Sequence, residues 1–326
     1  MRDEPALSVV IATPDTYETI RLTMRHLCSQ TVRHQIEVVI VGPSEQGINL
    51  QEKELAGFWG YQVVNTGVVT SIARANAAGV RRATSPIVVL AEDHCFPEPG
   101  WAEALIAAHQ GPWAVVGPVM QNANPRTSVS WGDFVINCGP WMYPLAAGPA
   151  AFLPGHNCSY KKSVLLEYGD RLEGLMEAEI LLHLDLGRRG HQLYVEPRAR
   201  VAHTNFALAS SWFPTQFYAG RMFGASRAAS WGTAKRLLYF AASPLIPVVR
   251  LWRCLRELSR PGRPQEVIPR TLPALCLGLA LDGLGQMTGY LLGSGNAVER
   301  LSENEFHRFR HVPESDRRAA EEYLAV

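Results

Sequence analysis

"SPIVVLAEDHCFPEPGW", residues 85 to 101, decides how the chain folds. The apolar run from Ile87 to Leu90 leads into three ionisable side chains, Glu92, Asp93 and His94, and then into Pro99 and Gly100 at the start of a helix pattern. An unbroken apolar run of this length reads as a strand buried on both faces, the situation found in parallel sheets covered by helices. Acidic groups at the carboxyl end of such a strand lie where open α/β sheets bind ligands, because the strand fixes them while the loops leave room above. Taken alone, the triplet also fits a solvated turn before a helix. The flanking chain has to discriminate.

Working upstream, "LSVVIAT" (7–13), "IEVVIV" (36–41) and "YQVVNTG" (61–67) repeat the strand pattern, separated by helical spacing of Ile20, Met24 and Leu27 and followed by the alanine-rich "SIARANAAGVRRA" (71–83). Downstream come the helix pattern "PGWAEALIAAHQ" (99–110) and the strand "WAVVGPVM" (113–120). Residues 121–160, rich in Trp, Gly, Asn and Pro, read as substrate-lining loops. A helix pattern over 165–190 precedes the strand "HQLYVEP" and the segment "ARVAHTN". Alternation of this kind predicts an α/β, Rossmann-like domain over 1–205, with a mostly parallel central sheet and helices on both faces. Beyond residue 206 the chain turns aromatic, basic and helical, and is expected to form a second region over 206–326.

Composition narrows the partners. With 47% hydrophobic and 19% charged residues the chain is an ordinary folded protein. Its six cysteines contain no Cys-x-x-Cys pair, and the amino terminus passes almost directly into a strand, so reduced thiols and a cytoplasmic location are expected. The net charge of +1 conceals ten Lys or Arg against two acids between Arg221 and Arg270. Interleaved aliphatic and aromatic residues there favour an anionic membrane surface over nucleic acid. The apolar stretches 237–249 and 272–293 are respectively too short and interrupted by Asp282 and five glycines for simple spans. They are expected to be helices lying on or dipping into a membrane, peripheral to its cytoplasmic face.

Four signals, in order, carry a family resemblance: "SVVIAT" with "LCSQT", then "IARANAAGVRRATSPIVVLAEDHCFPEPGW", then "LPGHNCSYKKSVLLEYG", then "EAEILLHLDLGRRGHQLYVEPRARVAH". Together they resemble the family-2 glycosyltransferases of the GT-A fold across residues 7–205. The resemblance implies an inverting, metal-dependent transfer from a nucleotide-diphosphate sugar donor to an acceptor hydroxyl, which a membrane-bound chain would meet as a lipid-linked or membrane-delivered molecule. The alternative is a non-catalytic sugar-nucleotide-binding or membrane-associated protein on the same fold.

The family's Asp-x-Asp position falls on Glu92, Asp93 and His94. The resemblance implies that Glu92, His94 and His203 hold Mn²⁺ or Mg²⁺, with the nitrogen ligand moving preference toward Mn²⁺. Alignment on Gly190 puts the catalytic base at Glu179, with Glu177 as the fallback. Thr13, Arg74, Asn76 and Asp93 are expected on the donor side, and Trp131, Trp141, Gly155, His156 and Asn157 on the acceptor side. Gly42 stands where the family usually has a base-contacting Asp, and no G-x-G-x-x-G follows the first strand, which argues against a dinucleotide enzyme.

Overall fold

A computed structural model describes residues 4–155 and 157–322. The described residues divide into two compact units, one within 4–121 and 143–203 and the other within 122–142 and 204–322.

Within the described residues the first unit is built on one nine-stranded sheet. Its strands are β1 (Leu7–Ala12), β2 (Ile36–Gly42), β3 (Gly60–Asn65), β4 (Ile87–Ala91), β5 (Cys95–Pro97), β6 (Val115–Asn122), β7 (Gly148–Ala150), β8 (Ser159–Lys161) and β9 (Leu193–His203). The order is β3-β2-β1-β4-β8-β6-β9-β5, with β7 also pairing with β9. From β3 to β4 the pairs are parallel, and β1 and β2 are buried at every position, with the buried Ser8 hydroxyl donating to the Glu37 carboxylate opposite it in their otherwise apolar sequences. Beyond β4 the pairs with β8 are antiparallel, as are those of β5 and β7 with β9.

Four helices of this unit matter for the site: α1 (Tyr17–Cys28) after β1, α2 (Ile72–Arg82) before β4, α3 (Trp101–Ala108) after β5, and the later Glu179–Arg188. Ser71 caps α2 by accepting from the Arg74 N–H. Gly79 lies on the inner face of α2, where an added Cβ would sit 2.3 Å from a Val10 methyl, so the helix rides directly on β1. Gly100 begins α3 at φ +89°, a conformation that suits glycine. The helix pattern over 165–190 is broken into short pieces before Glu179–Arg188, with Gly169 at φ +54° between them.

The second unit is helical and takes in a segment that the sequence assigned elsewhere. Residues 128–138, read as substrate-lining loop, form the buried helix α4 (Ser128–Cys138), so the expected boundary at 205 becomes a boundary at 203 plus the inserted 122–142. The reason is a buried carboxylate. Asp133 accepts hydrogen bonds from the Trp212 indole at 2.7 Å, the Phe206 N–H at 2.9 Å and Gln216 at 3.3 Å, and it faces Arg308. Burial pushes its carboxyl up and the Arg308 guanidinium pulls it down. Such a group must be ringed by donors, and those donors come from the later chain.

With Glu179–Arg188 taken as α5, the remaining helices are α6 (Ala209–Ala228), α7 (Thr233–Ala242), α8 (Leu245–Leu258), α9 (Ile268–Leu292) and α10 (Ala297–Phe306). Helices α6 and α9 pack backbone to backbone. A Cβ on Gly220 would lie 2.1 Å from the Asp282 carbonyl oxygen, on Gly224 2.6 Å from that of Gln286, on Gly285 2.1 Å from that of Phe217 and on Gly289 2.3 Å from that of Arg221. The register advances in the same direction on both helices, so they run parallel. Two glycine pairs at four-residue spacing, 220/224 and 285/289, thus account for two of the five glycines of the 272–293 stretch. Gly285→Val should cost about 3 kcal/mol or more, the upper end of overpacking, because backbone rather than a movable side chain stands in the way. Thermal unfolding of the purified variant checks this; an unchanged midpoint would contradict the close approach.

Candidate active site

The carboxyl end of β4 gathers the opening triplet into one cluster. Glu92 Oε2 lies 3.3 Å from His94 Nε2, 3.2 Å from the Cys95 Sγ that donates to it, and 3.9 Å from His203 Nε2. The two imidazoles meet edge to face, with ring centroids 5.0 Å apart. Antiparallel pairing of β5 with β9 sets Cys95 directly opposite His203, which is how residues 108 positions apart come to share a site. The Thr23 hydroxyl of α1 donates to the Glu92 carbonyl at 2.9 Å and fixes the turn from beneath.

One potential ligand atom from each of Glu92, His94, Cys95 and His203 lies within 4.8 Å of the others. A cation about 2.0–2.3 Å from each would span such a set, so the residues fit a divalent metal. Two nitrogens, one sulfur and one oxygen suit Mn²⁺ or a softer ion better than Mg²⁺, which requires oxygen ligands in near-ideal octahedral geometry. Asp93 has a different place: its Oδ1 lies 2.7 Å from His94 Nδ1, so the carboxylate orients the ring and leaves Nε2 turned toward the cluster. Cys95, read from sequence as one of six plain thiols, belongs here. Its adjacency to the triplet was a signal; its pairing with His203 could not be read.

A second group lies beside the first. β8 runs antiparallel to β4, with Val89 opposite Ser159, so the residues before β8 lie next to the carboxyl end of β4, where the Asn157 N–H donates to the Leu90 carbonyl at 2.8 Å. Asn157 takes φ +54° and is buried. Glu179, the first residue of α5, packs its carboxyl group on Gly155, where a Cβ would stand 2.6 Å from Glu179 Cδ. Gly155 is therefore required by the carboxylate. Behind them, the Leu153 N–H donates to His183 Nδ1 at 3.3 Å, which leaves Nε2–H to donate to the Tyr160 hydroxyl at 2.8 Å. Burial holds His183 down at about 4, so it is neutral, and burial together with the Glu179 charge pushes Tyr160 and Cys158 well up.

Residues 8–169 match the sequence model of the family described as "Glycosyl transferase family 2". This segment belongs to that family. The sheet is accordingly the mixed α/β, mostly parallel sheet expected of a GT-A glycosyltransferase. Among solved structures, the mannosyltransferase PcManGT from Pyrobaculum calidifontis in complex with GDP-Man and Mn²⁺ is similar at 16% identity and a TM-score of 0.49, over 89% of this chain and 86% of that one. S. aureus TarS 1-349 in complex with UDP is similar at 16% identity and 0.48, over 87% and 90%. GalNAc-T7 with UDP, GalNAc and Mn²⁺ follows at 15% and 0.48, over 61% of this chain and 43% of that one. No curated protein matches the sequence.

The remaining expected residues of the transferase domain fall in varied places. Thr13, just past β1, is buried, and its hydroxyl donates to the Thr16 carbonyl at 2.7 Å, within the turn that opens α1. Gly42, where the family's Asp is absent, faces Ile48: a Cβ would stand 2.8 Å from Ile48 Cδ1, so a side chain here would require the Ile48 methyl to turn aside. Arg74 is exposed on α2, its Nε 3.9 Å from Glu173. Asn76 is buried on the same helix, and its Oδ1 has no hydrogen-bond partner among the described residues. Glu177 accepts from the Ser71 hydroxyl at 3.0 Å; burial raises its carboxyl, and Ser71 and Arg74 oppose the rise. His156 lies outside the described residues. Trp131 and Trp141 fall in the second unit, both buried, and the Trp131 indole donates to the Pro125 carbonyl at 2.9 Å. Their burial in a helical core is the ordinary fate of large aromatic side chains, which sequence could not separate from exposure in a loop.

Proposed function

We propose that the domain is an inverting, metal-dependent glycosyltransferase that moves a sugar from a nucleotide-diphosphate donor to an acceptor hydroxyl. The observation that carries the reading is the convergence of Glu92, His94, Cys95 and His203 at the carboxyl end of β4, inside a family-2 domain. A divalent cation held there would neutralise the charge that develops on the departing diphosphate. Glu179 takes the acceptor proton as the hydroxyl oxygen attacks the anomeric carbon, and the bond from that carbon to the diphosphate breaks on the opposite face. Arg74, exposed on α2, carries the paired donors that suit phosphate oxygens.

Calorimetric titration of UDP and of GDP, with Mn²⁺ and then with chelator, tests this. Binding of one nucleotide should require the metal. His203→Ala should weaken cation binding by about 100-fold or more, because loss of even the groups that orient a ligand costs roughly 10–100-fold. Cys95→Ser should shift preference from Mn²⁺ toward Mg²⁺ by exchanging sulfur for oxygen. Folded protein that binds neither nucleotide in the presence of Mn²⁺ would sink the reading. Nucleotide binding without turnover would favour a non-catalytic protein on this fold, a reading supported by Gly42 standing where the family usually has an Asp.

A further inference from the structure

The second unit exposes an apolar surface that its own helices leave uncovered. Helices α7 and α8 form a pair bent by 60° at Ser243–Pro244. Pro244 and Pro247 lack the N–H groups that a continuous helix would need there. Across the bend, Leu238 is 65%, Leu245 65%, Val248 66% and Trp252 60% exposed, with Leu237 and Val249 exposed beside them. On α8, Leu245, Val248, Val249 and Trp252 follow the i, i+3, i+4, i+7 spacing of a single helix face. The inner residues of α8 are Cys254, Glu257 and Leu258, which are buried.

Cations border this face. Lys235, Arg253, Arg256 and Arg260 are exposed, and the Arg256 guanidinium lies 4.9 Å from the centre of the Trp252 ring. Not every cation of the basic segment is available. Arg263 is buried, donating to the carbonyls of Gly139 and Met142 and to Glu257, and Arg250 pairs with the buried Asp282 at 2.5 Å. Arg260 and Arg256 also approach Glu257, at 2.9 and 3.8 Å, while Lys235 and Arg253 stand exposed on the bent pair and Arg270 on α9. Arg227 and Lys235 lie over the ring of Trp231, which stacks on Tyr290, so an aromatic cluster with cations on its face adjoins α7.

We propose that the bent pair α7–α8 is a docking face for an anionic lipid bilayer, lying in the headgroup region with Leu238, Leu245, Val248 and Trp252 among the acyl chains. An apolar strip bordered by Lys and Arg with Trp at its edge is what such an interface selects, whereas nucleic acid would leave the leucines in water. Helix α9 is long and apolar enough on its own to cross a bilayer, but its glycine face packs on α6 and its Asp282 pairs with Arg250. It serves as the core on which the docking pair is mounted. The proposal stands apart from the transfer reading, since it is tested without donor or acceptor.

Flotation of the full chain with phosphatidylcholine vesicles, with and without about 30% phosphatidylserine, provides the test. The wild-type chain should float with the anionic vesicles and much less with neutral ones, and added salt should weaken the difference. Leu238→Glu with Val248→Glu alters exposed positions only and should lower partition by roughly tenfold or more. Val68→Glu, at an 84% exposed position of the other unit, should leave it unchanged. Arg253→Gln with Arg256→Gln should reduce the preference for anionic lipid while circular dichroism stays the same. The proposal is overturned if the wild-type chain ignores anionic vesicles at low salt, or if the Leu238/Val248 double variant floats as well as wild type. It is also overturned if the chain is a dimer by light scattering that binds no vesicles and that the same double variant makes monomeric, for the face would then belong to a second copy.

Discussion

Glu179→Gln should lower the turnover for sugar transfer by about 10²–10⁴-fold, the usual contribution of a positioned general base. The change keeps the shape and one acceptor oxygen, so nucleotide affinity measured with Mn²⁺ should stay within a few-fold of wild type. Gly155→Ala supplies the complementary result. It leaves the carboxylate in place chemically but puts a methyl 2.6 Å from Glu179 Cδ, forcing the side chain off its seat. Turnover should fall without loss of nucleotide binding, since small displacements of a reacting group are costly. Glu177→Gln should have the smaller effect, because Glu177 is engaged by the Ser71 hydroxyl at the start of α2. If Glu177→Gln were the more damaging change, the assignment of the base would pass to it.

Acid should destabilise the first unit steeply between pH 6.5 and about 4. Three of its histidines, His26, His109 and His183, are buried and held down to about 4, in each case chiefly because burial disfavours the charged ring. Folded, they resist a proton that the unfolded chain accepts near 6.5. Above pH 6.5 both states are neutral at these rings and the full stability is present. As pH falls toward 4 the unfolded chain takes up protons first, so stability is progressively lost. Each pKa unit corresponds to about 1.4 kcal/mol, so each ring can remove on the order of 3 kcal/mol, and three together rival the whole stability of a domain. Thermal midpoints measured from pH 7.5 to 4.5 should fall accordingly. His109→Gln, which can still bond Ser159 but cannot take a proton in this range, should flatten the fall. A curve for that variant parallel to wild type would remove His109 from the account. Protonation of His183 also forfeits the bond from Leu153, on the segment that carries Gly155, so activity should decline with the same sign.

Strand positions in the parallel half of the sheet were legible because a strand buried on both faces is largely apolar, as β4 is throughout and β1 and β2 are apart from Ser8 and Glu37, which bond to each other. Glu92, Asp93 and His94 were legible as a cluster for the complementary reason: charged groups at the end of such a strand need partners, and here they meet one another. The resemblance that placed Glu179 and Gly155 in separate motifs was followed by their direct contact in the structure, two segments meeting across one Cβ's width. Cys95 was not legible. A lone thiol among six carries no pattern, and its value comes from lying opposite His203 across a strand pair of high sequence separation. Trp131 and Trp141 misled for a related reason. Composition cannot tell a loop from a helix whose amphipathic pattern is weak because most of its circumference is buried, as in α4, where every residue from Ser130 to Ile136 is buried.

Legible in the sequence alone were the parallel βαβ half, the ionisable carboxyl end of β4, and the glycines and Asp282 that interrupt the apolar pattern of α9. These follow from local rules: what a strand or helix must present at each position in order to be buried or wet. Only the tertiary structure decided that 122–142 joins the carboxyl-terminal unit, that Cys95 completes the cluster, and which cations of the basic segment face water. Each of those depends on which distant groups meet, and a buried charge such as Asp133 or Arg263 selects its partners through desolvation, a cost set by the folded surroundings and not by neighbours in sequence.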